Sequence, residues 1–173
     1  MRKCTITFLI IQLFMGCKKE MKDSYIEYPT AVYSLIDTER EKLPAVLVIN
    51  SALGDYQHKE QFPWHLSITI KFEQLAENGM PTREEDNSAI LLEDAIEKEL
   101  IKNQNAIFFS RETWNGRKKI IYRIQNPKIA DRILKSLTQK NNILEWEYKI
   151  EKDLEWRFTE IYFDILNRAN ENA

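Results

Sequence analysis

The sequence predicts an α+β fold built on a βαββαβ antiparallel sheet, extended by an N-terminal β-hairpin and a C-terminal helix. Three observations carry this. WHLSITIKF (Trp64 to Phe72) and LEWEYKIE (Leu144 to Glu151) alternate apolar and polar residues with period two, the mark of half-buried strands. Two other segments place apolar residues three and four apart, as amphipathic helices do. Asn115-Gly116 then splits a long apolar-rich stretch into a hairpin, because both central residues of a two-residue turn need positive φ. From Trp64 onward the order is strand, helix, strand, strand, helix, strand, the split βαβ or ferredoxin-like arrangement.

Each element has its own reason. Ala31 to Ile36 and Leu43 to Asn50 are rich in Val, Ile and Tyr and flank the charged stretch Asp37 to Lys42, which predicts a hairpin with a six-residue turn. Residues 51–63 read as a loop. In the Trp64 strand, Trp64, Leu66, Ile68, Ile70 and Phe72 share one face, and His65, Ser67, Thr69 and Lys71 the polar one. Gly79-Met80-Pro81 ends a loop. Thr82 with Glu85 fits a capping box, and Glu84, Glu85 and Asp86 suit the positive end of a helix dipole. Leu92, Ile96 and Leu100, with Leu91 and Ala95 beside them, form the stripe of a helix running to about Asn103.

Counting outward from Asn115-Gly116 pairs Trp114 with Arg117, Glu112 with Lys119, Phe109 with Tyr122 and Ile107 with Ile124. That register gathers Ile107, Phe109, Ile120, Tyr122 and Ile124 on one face. Asn126-Pro127 opens the second helix with proline at its first position, Ala130, Ile133, Leu134 and Leu137 form its apolar side, and Asn141-Asn142 end it. In the last strand Leu144, Trp146, Tyr148 and Ile150 point inward. Asp153 is placed to cap a final helix bearing Trp156, Phe158, Ile161, Tyr162 and Ile165. Both long helices are expected on one sheet face, leaving the other mostly uncovered.

A chain of 173 residues fits one domain, expected at residues 30–168 with a tail at 169–173. The first 29 residues differ. Arg2 and Lys3 precede a 13-residue uncharged stretch, Cys4 to Gly16, rich in Ile, Leu, Phe and Met. At about 1.5 Å per residue it is shorter than the roughly 30 Å hydrocarbon layer, so it has the length of a signal-peptide core. Phe14-Met15-Gly16-Cys17 resembles a bacterial lipobox, in which the cysteine is acylated and becomes the first residue; Phe14 and Met15 are bulkier than the usual residues there. Lys18-Lys19-Glu20 resembles the surface-export tether of lipoproteins in the Bacteroides group. These resemblances imply a signal peptide at 1–16, a lipid on Cys17, a tether at 17–29 and a place in the cell envelope, at the outer membrane.

Cleavage there would remove Cys4 and occupy Cys17, so no free thiol remains for catalysis, a disulfide or a metal. Loss of Arg2 and Lys3 takes the 25 basic side chains to 23 against 27 acidic, a net charge of −4. A mildly acidic chain is poorly suited to nucleic acid, which is held by neutralising phosphates. No H-E-x-x-H, G-x-S-x-G or P-loop pattern occurs, so no cofactor, metal or catalytic residue is expected. His58 and His65 read as solvated polar residues. Glu93 and Glu97, one helical turn apart, could share a cation or an acid–base task, but with Asp94 and Lys98 they look like an ordinary outer face. The side chains favoured for binding are Arg111, Thr113, Trp114 and Arg117 at the hairpin tip, joined by Trp156, since exposed Trp and Arg anchor interfaces. Tyr122 and Trp146 are expected in the core.

Gly79-Met80-Pro81, Glu84-Glu85, Leu92-Glu93-Asp94, Arg111-x-Thr113-x-x-Gly116-Arg117, Tyr122, Asp153-x-x-Trp156 and Tyr162 together resemble the family named domain of unknown function 695, over roughly Val32 to Leu166. Leu154 departs from its pattern, which places proline after the aspartate. The family has no established activity. Its fold is similar to that of the regulator of ribonuclease E activity B, a ferredoxin-like inhibitor, which implies binding rather than catalysis. The expected function is therefore a non-enzymatic binding or interaction domain for a protein or small polar ligand. The alternatives are an envelope hydrolase using Glu84 or Glu93 with His65, and a nuclease inhibitor, which would need a cytoplasmic chain.

Overall fold

The strands are β1 (Tyr33–Arg40), β2 (Leu43–Asn50), β3 (Trp64–Lys71), β4 (Ala106–Trp114), β5 (Arg117–Ile124) and β6 (Glu145–Lys152). The helices are α1 (Arg83–Lys102), α2 (Pro127–Lys140) and α3 (Glu160–Glu171). In this computed structural model, which describes residues 28–140 and 144–171, the fold is α+β and the strands form one antiparallel sheet in the order β1-β2-β4-β5-β3-β6. The signal-like segment, Cys17, the tether up to residue 27 and Asn141-Asn142 lie outside the described residues. No helix among the described residues is long and apolar enough to cross a membrane.

Helices α1 and α2 cover one face. Ala89, Leu92, Ile96 and Leu100 of α1 and Ala130 and Leu134 of α2 pack on Leu66, Ile68, Ile70, Ile120, Tyr122, Ile124 and Trp146. Each fully buried Leu or Ile contributes about 2 kcal/mol. The helix starts follow the predicted chemistry. Thr82 caps α1 by accepting the Glu85 amide, although the Glu85 carboxylate turns instead to the Glu73 amide at 2.8 Å, so the capping box is half made. Asn126 Oδ1 accepts the amides of Lys128 and Ile129 at 3.0 and 3.3 Å, with Pro127 opening α2. Leu91 lies outside the stripe and is exposed, while Glu93 is buried against the sheet, where it meets Arg111 of β4 and Lys118 of β5.

The sheet is not covered on one face only. A second core, with Leu47, Ile49, Leu53, Phe62, Phe109, Ile121, Trp156, Tyr162 and Leu166, lies under α3 and the 51–63 segment, which contains two short 3-10 turns. Two local features produce it. A bulge at Phe109 shifts the β4–β5 register, so that Phe108 faces Tyr122 and Ala106 faces Ile124, where regular counting predicts Phe109 and Ile107. Phe109 and Ile107 thereby join the second core. The final helix also starts later than Asp153. Trp156 takes a left-handed conformation at φ 61°, a 3-10 turn spans Arg157–Thr159, and Trp156, Thr159, Tyr162 and Leu166 point inward while Ile161 is exposed.

The first hairpin is longer than predicted. β1 continues to Arg40, and only Glu41-Lys42 turn, both at positive φ (52° and 63°), the geometry that matches strand twist in two-residue loops. Asp37 and Glu39 thus lie on an edge strand, where charge discourages further pairing.

Candidate functional site

The β4–β5 hairpin tip is held from below by the loop before α1. The Gly116 amide donates to the Gly79 carbonyl at 2.8 Å, and the Gly116 carbonyl accepts from Phe72 N at 2.9 Å. Both glycines have positive φ, 79° and 72°, and a Cβ on Gly116 would meet Leu75 at 3.1 Å. The two glycine turns lock together, which fixes the direction of the side chains leaving the tip.

Strand alternation divides those side chains between two faces. Trp114 and Arg117, opposite each other in the ladder, lie on the face away from α1. The Trp114 indole N–H donates to the Arg40 carbonyl at 3.1 Å, and the Arg40 guanidinium sits 4.3 Å above the ring. Arg40 also pairs with Glu112 at 3.3 Å. This part of the face is not covered by α3. It forms an open groove of about 550 Å³ lined by Arg40, Arg117, Lys119 and Lys149 against Glu112 and Glu147, with Ser67 and Thr69 on its floor. Glu112, Lys119, Thr69 and Glu147 form one cross-strand row.

Arg111 and Thr113 point the other way, toward α1. Arg111 donates to Glu93 at 3.1 Å, and Lys118, opposite Thr113, pairs with Asp86 at 3.0 Å and lies 4.0 Å from Glu93. Glu93 and Lys118 are buried, so Glu93 is not on the outer face that its neighbours suggest. Glu97 is half-buried; burial, then the negative charges of Glu93 and Asp94, raise its carboxyl above the usual range. Arg111, Thr113, Lys118 and Asp86 line a shallow cleft of about 500 Å³ with Leu35, Val46, Met80, Pro81 and Ile90. Lys118 and Asp86 escape sequence reasoning, though Lys118 sits in phase with Ile120, Tyr122 and Ile124, the core-facing side of β5. A lysine at that phase is the available signal.

Trp156 belongs to neither surface. It is 1% exposed, its indole N–H donates to the carbonyls of Lys59 and Phe62 at 3.1 Å, and the Arg123 guanidinium lies 4.7 Å from its ring. The Asp153-x-x-Trp156 motif folds back on itself and packs inward, so it supports α3 instead of adding to the hairpin tip. The five predicted binding residues therefore fall into three places.

His65 is also inside. It is 4% exposed, packs edge-on to Phe158 at 5.3 Å, and its Nδ1 has no hydrogen-bond partner among the described residues. Burial, with the charges of Arg123 and Lys119 beside it, lowers its pKa to about 4. His65 lies on the α3 side of the sheet and Glu93 on the α1 side, so β3 and β5 stand between them; Glu84 is exposed on α1. Among the described residues no three His, Cys, Asp or Glu side chains are placed to hold a metal ion.

No curated protein and no solved structure matches the chain. Residues 35–167 match the family of unknown function DUF695, a span that runs from within β1 to within α3 and includes the interlocked glycine turns, Arg111, Lys118 and the Asp153–Trp156 turn, and the chain belongs to that family.

Proposed function

We propose that the chain is a lipid-anchored protein of the cell envelope, tethered through Cys17 at the outer membrane, whose domain binds a partner and performs no catalysis. The groove around Trp114 carries the proposal. It presents four cationic side chains against two carboxylates, in a chain whose net charge is negative, and an aromatic anchor lies between them. Such a surface fits an acidic protein segment or a small polar anion, and complementarity of this kind governs encounter rate and partner choice. A strand order of β6-β3-β5-β4, with α1 and α2 on one face, supports reading these elements as a ferredoxin-like split βαβ unit. Likeness to the regulator of ribonuclease E activity B keeps nuclease inhibition as an alternative for a cytoplasmic chain, but fold alone does not carry function. The hydrolase alternative has less support, with His65 and Glu93 on opposite faces.

Two experiments test this reading. Cys17→Ala should leave the protein unprocessed or release it from the membrane fraction; unchanged membrane association and processing would refute the anchor. Full-length protein carrying Trp114→Ala and Arg117→Glu should bind a Glu-rich peptide at least tenfold more weakly than the parent, with the difference shrinking in high salt. Equal binding by both proteins would refute the groove.

A further inference from the structure

On the opposite face, between α1 and the β1–β2 hairpin, a cavity of about 200 Å³ is lined by Tyr33, Val48, Glu93, Glu97, Phe108 and Arg111. The Glu93 side chain is only 4% exposed. One of its oxygens is engaged by Arg111 at 3.1 Å, while Oε2 has no hydrogen-bond partner among the described residues and has Lys118 Nζ only at 4.0 Å. Buried carboxylate oxygens are rarely left in that state, because each unmet acceptor keeps its desolvation cost. Glu97, one helical turn on, makes no hydrogen bond or ion pair among the described residues, and burial, then the negative charges of Glu93 and Asp94, raise its carboxyl. The phenol of Tyr122, also fully buried, is a second polar group without a hydrogen-bond partner among the described residues, close enough for Glu97 and Glu93 to act on it.

The remaining walls are aromatic. Tyr33 meets Phe108 edge to face at 5.8 Å, and Phe108 meets Tyr122 likewise at 5.8 Å. Tyr33 is 58% exposed, so the cavity opens to solvent past its ring. Two carboxylates against one guanidinium leave the lining net negative. The single lining cation is already committed to Glu93, which argues against an anion, and no third acidic or imidazole ligand is in place for a metal ion among the described residues.

We propose that this cavity binds a positively charged organic group, a primary ammonium or guanidinium, with Glu93 Oε2 and Glu97 as acceptors and Tyr33 and Phe108 as the aromatic wall. Carboxylates neutralise the charge and donors of such a group, and aromatic faces attract it through their quadrupole. The group could belong to a free amine or to a lysine or arginine side chain of a polypeptide. This site lies across the sheet from the Trp114 groove and stands independently of it.

Isothermal titration of the full-length protein in detergent, with n-butylamine, the blocked tripeptide acetyl-Ala-Lys-Ala-amide and neutral n-butanol, tests the proposal. Both amines should bind saturably, and n-butanol at least tenfold more weakly. Glu97→Gln should weaken amine binding about tenfold with a melting temperature no lower than the parent's, since Glu97 makes no hydrogen bond or ion pair among the described residues and sits beside two like charges; Tyr33→Ala should weaken it severalfold. Tighter binding of the tripeptide would support a polypeptide source, and tighter binding of butylamine a free amine. No saturable amine binding, equal binding of n-butanol, or unaltered binding by Glu97→Gln or Tyr33→Ala would each overturn the proposal. Trp114→Ala should leave this binding unchanged, which separates its failure from that of the groove.

Discussion

Arg123 donates to Asp153 at 2.8 Å across the second core, with both side chains buried. Asp153 has two further duties, accepting the amides of Arg157 and Phe158 at 2.9 and 3.2 Å. Arg123 also donates to the carbonyls of Phe62 and Asp153 and stacks on Trp156. This network ties β5 to the turn that launches α3. Removing one member leaves the other charge buried and unpaired, so Asp153→Ala should cost about 3–5 kcal/mol of stability, read by urea denaturation. Arg123→Met combined with Asp153→Asn should cost less than the two single changes added together, since each then removes what the other needs.

The same turn explains the position where the sequence departs from its family. Trp156 N donates to the Asp153 carbonyl at 3.4 Å, which makes Leu154 the second residue of a β-turn, the place where proline is favoured. Leu154 is exposed, and its amide donates no hydrogen bond among the described residues. Leu154→Pro should therefore stabilise the domain by about 0.4–1 kcal/mol, through loss of freedom in the unfolded chain. A lower melting temperature for this variant would show that the turn needs a backbone angle or hydrogen bond that proline cannot supply.

Periodicity made much of this fold readable. The alternation of β3 and β6, the stripes of α1 and α2 and the Asn115-Gly116 turn are local patterns, and the structure follows them. What could not be read depends on pairing across the sheet. The Phe109 bulge leaves no mark in β4 itself, yet it decides which of Phe108 and Phe109 meets Tyr122. Burial of His65 and Arg123 needs α3 to fold back over the sheet, and the polar phase of β3 gives no hint of that cover. The separation of Arg111 from Trp114 is legible in the sequence, since residues three apart on a strand face opposite ways, and closeness along the chain does not make them one surface.

Gly116 tests whether the hairpin tip is rigid. At φ 72° any other L-residue is strained, and a Cβ would press on Leu75 at 3.1 Å. Gly116→Ala should cost about 1–2 kcal/mol. Adding Leu75→Ala should recover only the steric part, because the backbone strain remains. Full recovery in the double variant would mean that conformation is not what selects glycine here.

His65 gives the domain a pH dependence with a definite sign. Its folded pKa, about 4, lies below the ordinary 6.5, because burial and the nearby Arg123 and Lys119 oppose a further positive charge more than Asp153 and Glu151 favour it. Between these values the unfolded chain binds a proton that the folded one refuses, so stability falls as pH drops from about 6.5 toward 4 and levels off below it. The contribution is on the order of 2 kcal/mol after discounting for residual solvent screening. Denaturation midpoints should thus decline through that window, on top of the general loss from carboxylate protonation. His65→Leu removes the titrating group while keeping an apolar contact for Phe158, so the variant should be less sensitive than the parent between pH 6.5 and 4. Parallel curves for the two proteins would mean that His65 is free to take its proton in the folded state, and that Phe158 does not seal it from water.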